Sequence, residues 1–215
     1  MDFAVIFDMD GVLVVNHIAH LKAWVEFCHR KNIPTTEEEL LSLFGRTNSG
    51  FFQVLYNKPL TNKEITELAY EKEMIYREIY KDDICAPAGL ISLLELLKKH
   101  GIKIGMGTSA PIENVDFVLE HLQIGKYFDT IVHEGQVSNG KPHPEIYLKA
   151  AEMLNVDPAT CIVFEDSVMG IQAGISAGMK VVAITSTFGK VKLQEATKII
   201  DTFENIDLNF FESLL

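Results

Sequence analysis

The first strong signal along the chain is a short apolar run that ends abruptly in acidic residues. Phe3 to Phe7 is rich in β-branched and aromatic residues, and the sequence Asp-Met-Asp-Gly follows directly. A short apolar run bounded by turn residues is typical of a buried strand. We therefore predict a strand whose carboxyl end carries Asp8 and Asp10.

After Val15 the apolar residues recur at helical spacing. The repeat consists of Ile18, Leu21, Trp24, Val25 and Cys28. Asn16 precedes this repeat and is interpreted as the N-cap of the first helix. Two capping-box patterns, Thr36-x-x-Glu39 and Thr61-x-x-Glu64, indicate the starts of further helices. Residues 16–83 are therefore predicted to be entirely helical.

From residue 84 onward the pattern alternates between helices and short apolar runs. Helices are predicted to begin near Pro87, Pro111, Pro144 and Val168. Strands are predicted over residues 102–107, 130–133, 161–164 and 180–184. This alternation is typical of a parallel sheet. We therefore predict an α/β fold, in which residues 1–15 and 84–215 form a Rossmann-like parallel sheet core and residues 16–83 form an inserted all-helical unit.

The composition is that of a soluble globular protein with a substantial core. Of the 215 residues, 47% are hydrophobic and 23% are charged, which excludes a disordered or collagen-like chain. The 30 acidic and 19 basic residues give a net charge of −11, which argues against nucleic acid or an anionic membrane as a partner. Taken alone, this charge also argues against an anionic substrate.

The N-terminal residues and the cysteines both point to an intracellular protein. The apolar N-terminal run has no basic residues before it and is interrupted by aspartates, so it fits neither a signal peptide nor a membrane span. Cys28, Cys85 and Cys161 form no CxxC pair, and we interpret them as buried thiols in a reducing compartment. We expect a cytoplasmic monomer.

Polar side chains follow four of the predicted strands, at the edge where ligands bind in parallel sheets. They are Asp8 and Asp10 after the first strand, Thr108 and Ser109 after the second, Lys141 near the third, and Glu165 with Asp166 after the fourth. Carboxylates gathered in this way would repel each other without a cation, and oxygen ligands suit a hard cation such as Mg²⁺. The sequence therefore predicts a magnesium site at this edge.

Such a site is suited to phosphoryl transfer. One carboxylate oxygen can attack a phosphorus atom while the metal and Lys141 neutralise the phosphoryl oxygens that would repel it. The Thr108 hydroxyl can hold another phosphoryl oxygen. Asp10 can carry a proton to the leaving alkoxide and from water, provided that its pKa lies near the working pH. A small phosphorylated metabolite is thus compatible with the acidic net charge, because bound Mg²⁺ reverses the local balance.

Four motifs in the chain resemble those of the haloacid dehalogenase superfamily, in the branch of β-phosphoglucomutases and small sugar-phosphate phosphatases. The motifs are Phe7-Asp8-Met9-Asp10-Gly11-Val12, Gly107-Thr108-Ser109, Gly140-Lys141-Pro142-His143-Pro144, and Phe164-Glu165-Asp166-Ser167 with Gly170 and Gly174. They occur in the family's order and at strand ends. The helical insert matches the family's mobile cap in place and length, so the resemblance covers nearly the whole chain.

The resemblance implies a role for each motif residue. Asp8 is expected to be the nucleophile that forms an aspartyl-phosphate, and Asp10 the general acid and base. The groups expected to hold Mg²⁺ are Asp8, the main-chain carbonyl of Asp10, Asp166 and Glu165. The residues expected to bind the transferring phosphoryl group are Thr108, Ser109 and Lys141.

Substrate choice in this branch is made by the cap. His20 matches a histidine that faces the site in relatives, and Gly45-Arg46-Thr47-Asn48 resembles the specificity loop. β-Phosphoglucomutases carry an Arg at the place of Asn48 that grips a second phosphate. Arg46, Lys72 or Arg77 could supply the missing cation, and we predict that these residues, with His20, Thr47 and Asn48, bind substrate.

Because the mutase signature is incomplete, we favour a phosphatase of small phosphorylated metabolites, most simply sugar phosphates. The same motifs allow a β-phosphoglucomutase or an inorganic pyrophosphatase. A phospho-accepting signalling module is a remote alternative, because receiver domains also combine acidic residues, a hydroxyl and a Lys around Mg²⁺. Receivers lack both the Asp-x-Asp on the first strand and the long helical insert.

Overall fold

The computed structural model describes residues 3–43 and 48–215. The chain divides into two compact units, a core unit of Met1–Val15 with Ile84–Leu215 and a helical unit of Asn16–Asp83. Within the described residues, no helix is both long enough and apolar enough to cross a membrane.

The described part of the helical unit contains only helices. They are α1 (His17–Arg30), α2 (Glu37–Ser42), α3 (Asn48–Tyr56) and α4 (Asn62–Tyr80). Both predicted capping boxes are present at the starts of α2 and α4. Asn16 does precede α1, but its side chain makes no capping bond. Its Nδ2 instead donates to the Tyr76 hydroxyl at 2.7 Å, which ties the start of α1 to α4.

The core unit is built on one parallel sheet. Its strands are β1 (Ala4–Phe7), β2 (Lys103–Gly107), β3 (Thr130–Val132), β4 (Cys161–Glu165), β5 (Lys180–Ile184) and β6 (Lys198–Ile200). In the described part of the chain they lie in the order β3-β2-β1-β4-β5-β6, and every neighbouring pair is parallel. The predicted α/β fold with a parallel sheet is therefore confirmed. The edge strand β6 was not predicted, because its three residues begin with an exposed lysine and show no apolar run.

The helices of the core unit follow the strands in turn. They are α5 (Leu90–Lys99), α6 (Ile112–Leu122), α7 (Glu145–Leu154), α8 (Val168–Ser176) and α9 (Leu208–Glu212). The central strands β1 and β4 are buried throughout, which explains their continuous apolar sequences. Gly174 lets α8 approach the sheet, because a Cβ there would lie 2.7 Å from the Val181 Cγ2 atom.

The cysteine prediction was only partly right. Cys28 and Cys161 are buried, but Cys85 is exposed in the segment that precedes α5. Cys28 lies on the apolar face of α1 and Cys161 opens the central strand β4, whereas Cys85 belongs to no helix or strand that would bury it.

Replacing Thr61 with Ala should weaken the start of α4. The Thr61 hydroxyl accepts a bond from the Glu64 amide, and loss of an N-cap costs about 1 kcal/mol in the free energy of unfolding. Urea unfolding measures this change. Thr66→Ala is the matched control, because Thr66 is exposed on the same helix and its hydroxyl donates only to the Asn62 carbonyl within the described residues. Equal losses for both variants would contradict the capping role.

Candidate active site

The sheet register brings the acidic motifs side by side. Phe7 at the end of β1 pairs with Phe164 on β4, and the Asp8 amide donates to the Phe164 carbonyl at 3.0 Å. Asp8 and Glu165 therefore leave adjacent strands at the same level. The rings of these two buried phenylalanines stack with their centroids 5.0 Å apart, so aromatic packing also joins the two strand ends.

Lys141 lies between these two carboxylates. Its Nζ donates to Asp8 Oδ1 at 2.7 Å and to Glu165 Oε1 at 2.5 Å, and all three side chains are at least nine-tenths buried. The loop that carries Lys141 is tied to the start of α7, because the Glu145 carboxylate accepts from the Ser138 amide at 2.7 Å and the Asn139 amide at 3.0 Å. The lysine is thus held by a fixed loop.

Asp166 completes a group of three buried carboxylates. One oxygen from each of Asp8, Glu165 and Asp166 lies within 4.8 Å of the others. The first-motif loop passes close beside this group at Gly11, where φ is +76° and a Cβ would lie 1.9 Å from Asp166 Oδ2. Only glycine suits this position, since an L side chain would be strained and would also displace the Asp166 carboxylate.

The Glu165 carboxylate receives five hydrogen bonds. Oε1 accepts from Lys141 Nζ and from the Tyr147 hydroxyl at 2.6 Å. Oε2 accepts from the amides of Asp166 and Ser167 and from the Ser167 hydroxyl, at 3.0 to 3.1 Å. Gly170 leaves room for this arrangement, because a Cβ there would lie 1.7 Å from Glu165 Oε1.

The remaining predicted core residues differ in their exposure. Thr108 is buried, and its Oγ1 accepts from the Ala110 amide at 3.1 Å, so its hydroxyl proton remains available as a donor. Ser109 is exposed. Asp10 is half-buried and forms a backbone bridge with Val14 in the turn after β1.

Sequence reasoning missed three residues around this group. The Ser186 hydroxyl donates to the Gly11 carbonyl, and the Thr187 side chain hydrogen-bonds the Asp166 carboxylate. Both follow β5, so the argument from polar residues at strand ends applies to them as well. Tyr147 gave no such signal, because it occupies an apolar position of α7 and its hydroxyl partner is distant in sequence.

In the helical unit, three predicted residues meet around Glu73. Lys72 Nζ lies 2.8 Å from His20 Nδ1 and 2.8 Å from Glu73 Oε1, and Asn48 Nδ2 donates to the same Glu73 oxygen at 3.0 Å. Lys72 and Glu73 are both buried. Arg77 lies further along α4 and is half-buried. The predicted residues Arg46 and Thr47 lie outside the described residues.

A family model for haloacid dehalogenase-like hydrolases matches residues 5–184. The chain belongs to this family. A phosphorylated carbohydrates phosphatase of Thermotoga maritima is 36% identical over 182 residues, 82% of each chain. A β-phosphoglucomutase of Bacillus subtilis is 35% identical over 190 residues, 84% of this chain and 82% of the relative. The structure of a family IA, variant 3 hydrolase from Entamoeba histolytica has a TM-score of 0.92 at 33% identity and covers 99% of this chain and 98% of its own.

These comparisons confirm the predicted family and the prediction that the protein is an enzyme. The signalling-module alternative is set aside, because the matching family model is one of hydrolases and the Thermotoga and Bacillus relatives are named as enzymes.

The charges of the haloacid dehalogenase-like site suit a divalent cation. Burial, together with the nearby charges of Glu165 and Asp10, raises the pKa of Asp8 to about 7 even though Lys141 opposes the shift. Burial, together with the nearby charges of Glu165 and Asp8, raises the pKa of Asp166 well above its usual range. Burial also acts on Glu165, but Lys141 and the other donors hold its pKa below its usual value. One lysine thus leaves these carboxylates undercompensated, and a bound divalent metal would supply the missing positive charge.

Replacing Gly170 with Ala should displace Glu165 and, with it, Lys141. Because the added Cβ would overlap the carboxylate, we expect a loss of about 1–3 kcal/mol in the free energy of unfolding. A shift of the charged groups should also lower kcat/KM by about a hundredfold. Urea unfolding and steady-state kinetics measure the two effects. Gly189→Ala is the control, since a Cβ there meets nothing within 4 Å, and wild-type kinetics for Gly170→Ala would contradict this account.

Magnesium should stabilise the protein more at pH 8 than at pH 5.5. Because the pKa of Asp8 is raised, the folded, metal-free state holds the Asp8 proton more tightly than the unfolded state does. The stability that this proton provides is lost as the pH rises from about 4 towards 7. Mg²⁺ needs the ionised carboxylates and therefore competes with protons. Thermal unfolding with Mg²⁺ or EDTA measures the shift in Tm.

Asp166→Asn should abolish this magnesium-dependent shift in Tm. The exposed helical variant Asp116→Asn should retain it. A shift in Tm of the same size at both pH values, or one that survives in Asp166→Asn, would show that Mg²⁺ acts elsewhere.

Proposed function

We propose that this hydrolase is a Mg²⁺-dependent phosphatase of small phosphorylated carbohydrates that works through an aspartyl-phosphate on Asp8. The observation that carries the proposal is the Lys141 ammonium 2.7 Å from Asp8 Oδ1, beside a carboxylate of Asp166 within metal-binding range. A carboxylate oxygen beside a fixed positive charge supports the role of Asp8 as the nucleophile. The names of the Thermotoga and Bacillus relatives support phosphorylated carbohydrates as the substrate class.

In the first half-reaction, an Asp8 carboxylate oxygen forms a bond to phosphorus while the bond from phosphorus to the sugar oxygen breaks. Lys141 neutralises charge on the phosphoryl oxygens, and the Thr108 hydroxyl and Ser109 hold the phosphoryl group at the end of β2. Asp10 gives a proton to the leaving alkoxide. In the second half-reaction, Asp10 takes a proton from the water that attacks phosphorus, and phosphate leaves Asp8.

The metal is proposed to be held by Asp8, the main-chain carbonyl of Asp10, and Asp166, with Glu165 as a further candidate. When bound, it withdraws electrons from the phosphoryl oxygens and offsets the carboxylate charge. Asp8 must be ionised to act as nucleophile, and its pKa of about 7 in the metal-free site supports a role for a cation in activity at neutral pH.

The sugar is proposed to be recognised by the helical unit. His20, Asn48 and Lys72 form a joined polar group with Glu73, and side chains of these types can hydrogen-bond sugar hydroxyls. Arg46, Thr47 and Arg77 are proposed to contribute further contacts.

The three free cysteines support a reducing, cytoplasmic location.

The test is phosphate release from a panel of sugar phosphates and pyrophosphate in the presence of Mg²⁺. We expect wild type to hydrolyse at least one sugar phosphate and Asp8→Asn to lower kcat/KM by at least about a thousandfold, because the nucleophile is lost. Asp116→Asn, an exposed substitution on α6, should match wild type. Turnover that survives in Asp8→Asn would rule out the aspartyl-phosphate. A preference for pyrophosphate would replace the sugar-phosphate proposal.

The second candidate is a β-phosphoglucomutase, which the likeness to the Bacillus enzyme favours. The same Asp8 would then return the phosphoryl group to a second hydroxyl of the sugar. Incubating the enzyme with β-glucose 1-phosphate and a bisphosphate primer separates the two activities. Glucose 6-phosphate as the main product would identify a mutase, whereas inorganic phosphate would identify a phosphatase.

A further inference from the structure

Tyr147 contacts the site from beneath although no sequence motif points to it. The residue lies on the first turns of α7 and is fully buried. Its hydroxyl donates to Glu165 Oε1 at 2.6 Å, and the Lys141 ammonium lies 4.8 Å from the centre of its ring. Gly107 at the end of β2 makes room for the ring, because a Cβ there would lie 3.1 Å from two ring carbons.

The Glu165 oxygen that holds Lys141 is therefore shared between two donors. The other oxygen of that carboxylate is occupied by the amides of Asp166 and Ser167 and by the Ser167 hydroxyl. A carboxylate offers about four lone-pair directions, so five donors fix its position and leave little acceptor capacity unused. The position of Glu165 beside Lys141 is thus set by these donors.

Lys141 is shared as well, since its Nζ donates to both Asp8 and Glu165. An ammonium group has three N–H donors, and the described residues use two of them. The third can meet a phosphoryl oxygen. How much positive charge remains for that oxygen depends on how strongly Glu165 draws the ammonium towards itself.

We propose that Tyr147 is a positioning residue for phosphoryl transfer, whose hydroxyl weakens the pull of Glu165 on Lys141 and whose ring supports the ammonium. The hydroxyl bond takes up part of the negative charge on Glu165 Oε1, so the Lys141 charge stays directed to Asp8 and to the phosphoryl group. The ring adds a cation–π contact from below. This inference rests on the proposed phosphoryl transfer at Asp8.

A tyrosine with only a packing role would affect stability but would not act through Lys141. Tyr147 also belongs to the apolar cluster between α7, α8 and the sheet, so its loss could lower stability alone. Tyr147→Phe keeps the ring and removes only the hydroxyl, and the positioning role then predicts an effect that depends on the presence of Lys141. A double-mutant cycle with Lys141→Met separates the two roles.

The experiment compares wild type, Tyr147→Phe, Lys141→Met and the double variant at a temperature where thermal unfolding shows all four to be folded. Steady-state phosphate release gives kcat and KM. Binding of orthovanadate with Mg²⁺, followed by calorimetry, reports on the five-coordinate geometry of phosphoryl transfer without requiring turnover. Tyr127→Phe is the matched control, because the Tyr127 hydroxyl donates to the Glu95 carboxylate at 3.4 Å on the surface.

We expect Tyr147→Phe to lower kcat by about tenfold with little change in KM, and to weaken orthovanadate binding by a similar factor. In the Lys141→Met background, the same substitution should have no further effect on vanadate binding. Tyr127→Phe should match wild type in both measurements.

Unchanged kcat and vanadate affinity in Tyr147→Phe, or an equal loss of affinity with and without Lys141, would overturn the positioning role. Wild-type protein that binds no vanadate would overturn it too. If wild type hydrolyses no phosphate ester but shows the Lys141-dependent loss of vanadate affinity, then the proposed function fails while the role of Tyr147 stands.

Discussion

The buried ammonium group of Lys141 is the interaction on which the arrangement of the core site depends. Three carboxylates lie within 4.8 Å of one another in a region shielded from water, and like charges at that distance repel strongly at low dielectric. Lys141 contacts two of the three. Without it, the pKa of Asp8 would rise further, and the metal-free protein would have to rearrange the carboxylates or hold more protons.

The surrounding structure serves to hold that ammonium group in place. Glu145 accepts a hydrogen bond from the loop that carries Lys141, and the Tyr147 ring contacts the Lys141 ammonium group. Gly170 leaves the space that the Glu165 carboxylate occupies. These three residues come from the starts of α7 and α8. Helix starts present unpaired amides and bind carboxylates well, which is how the Glu165 carboxylate is anchored without a second cation.

The sequence predicted the fold well because the central strands are buried on both faces and therefore read as unbroken apolar runs. It also placed Asp8, Lys141 and Asp166 at one edge, since parallel strands end together. It could not show hydrogen-bond donors, and the five donors to Glu165 among the described residues were therefore not predicted. Tyr147 was missed because a buried hydroxyl leaves no periodic signal, and β6 was missed because it begins with an exposed lysine and has no apolar run.

The pairing of β1 also has a consequence for the order in which the protein can fold during synthesis. Residues 4–7 pair with residues 103–106 and 161–164, so the strand that carries Asp8 leaves the ribosome long before either partner. The helical unit of Asn16–Asp83 has been synthesised well before then, and it is a compact unit of its own. A nascent chain can therefore contain the whole helical unit while β1 is still unpaired, and the group of Asp8, Lys141 and Glu165 can assemble only after translation passes Glu165.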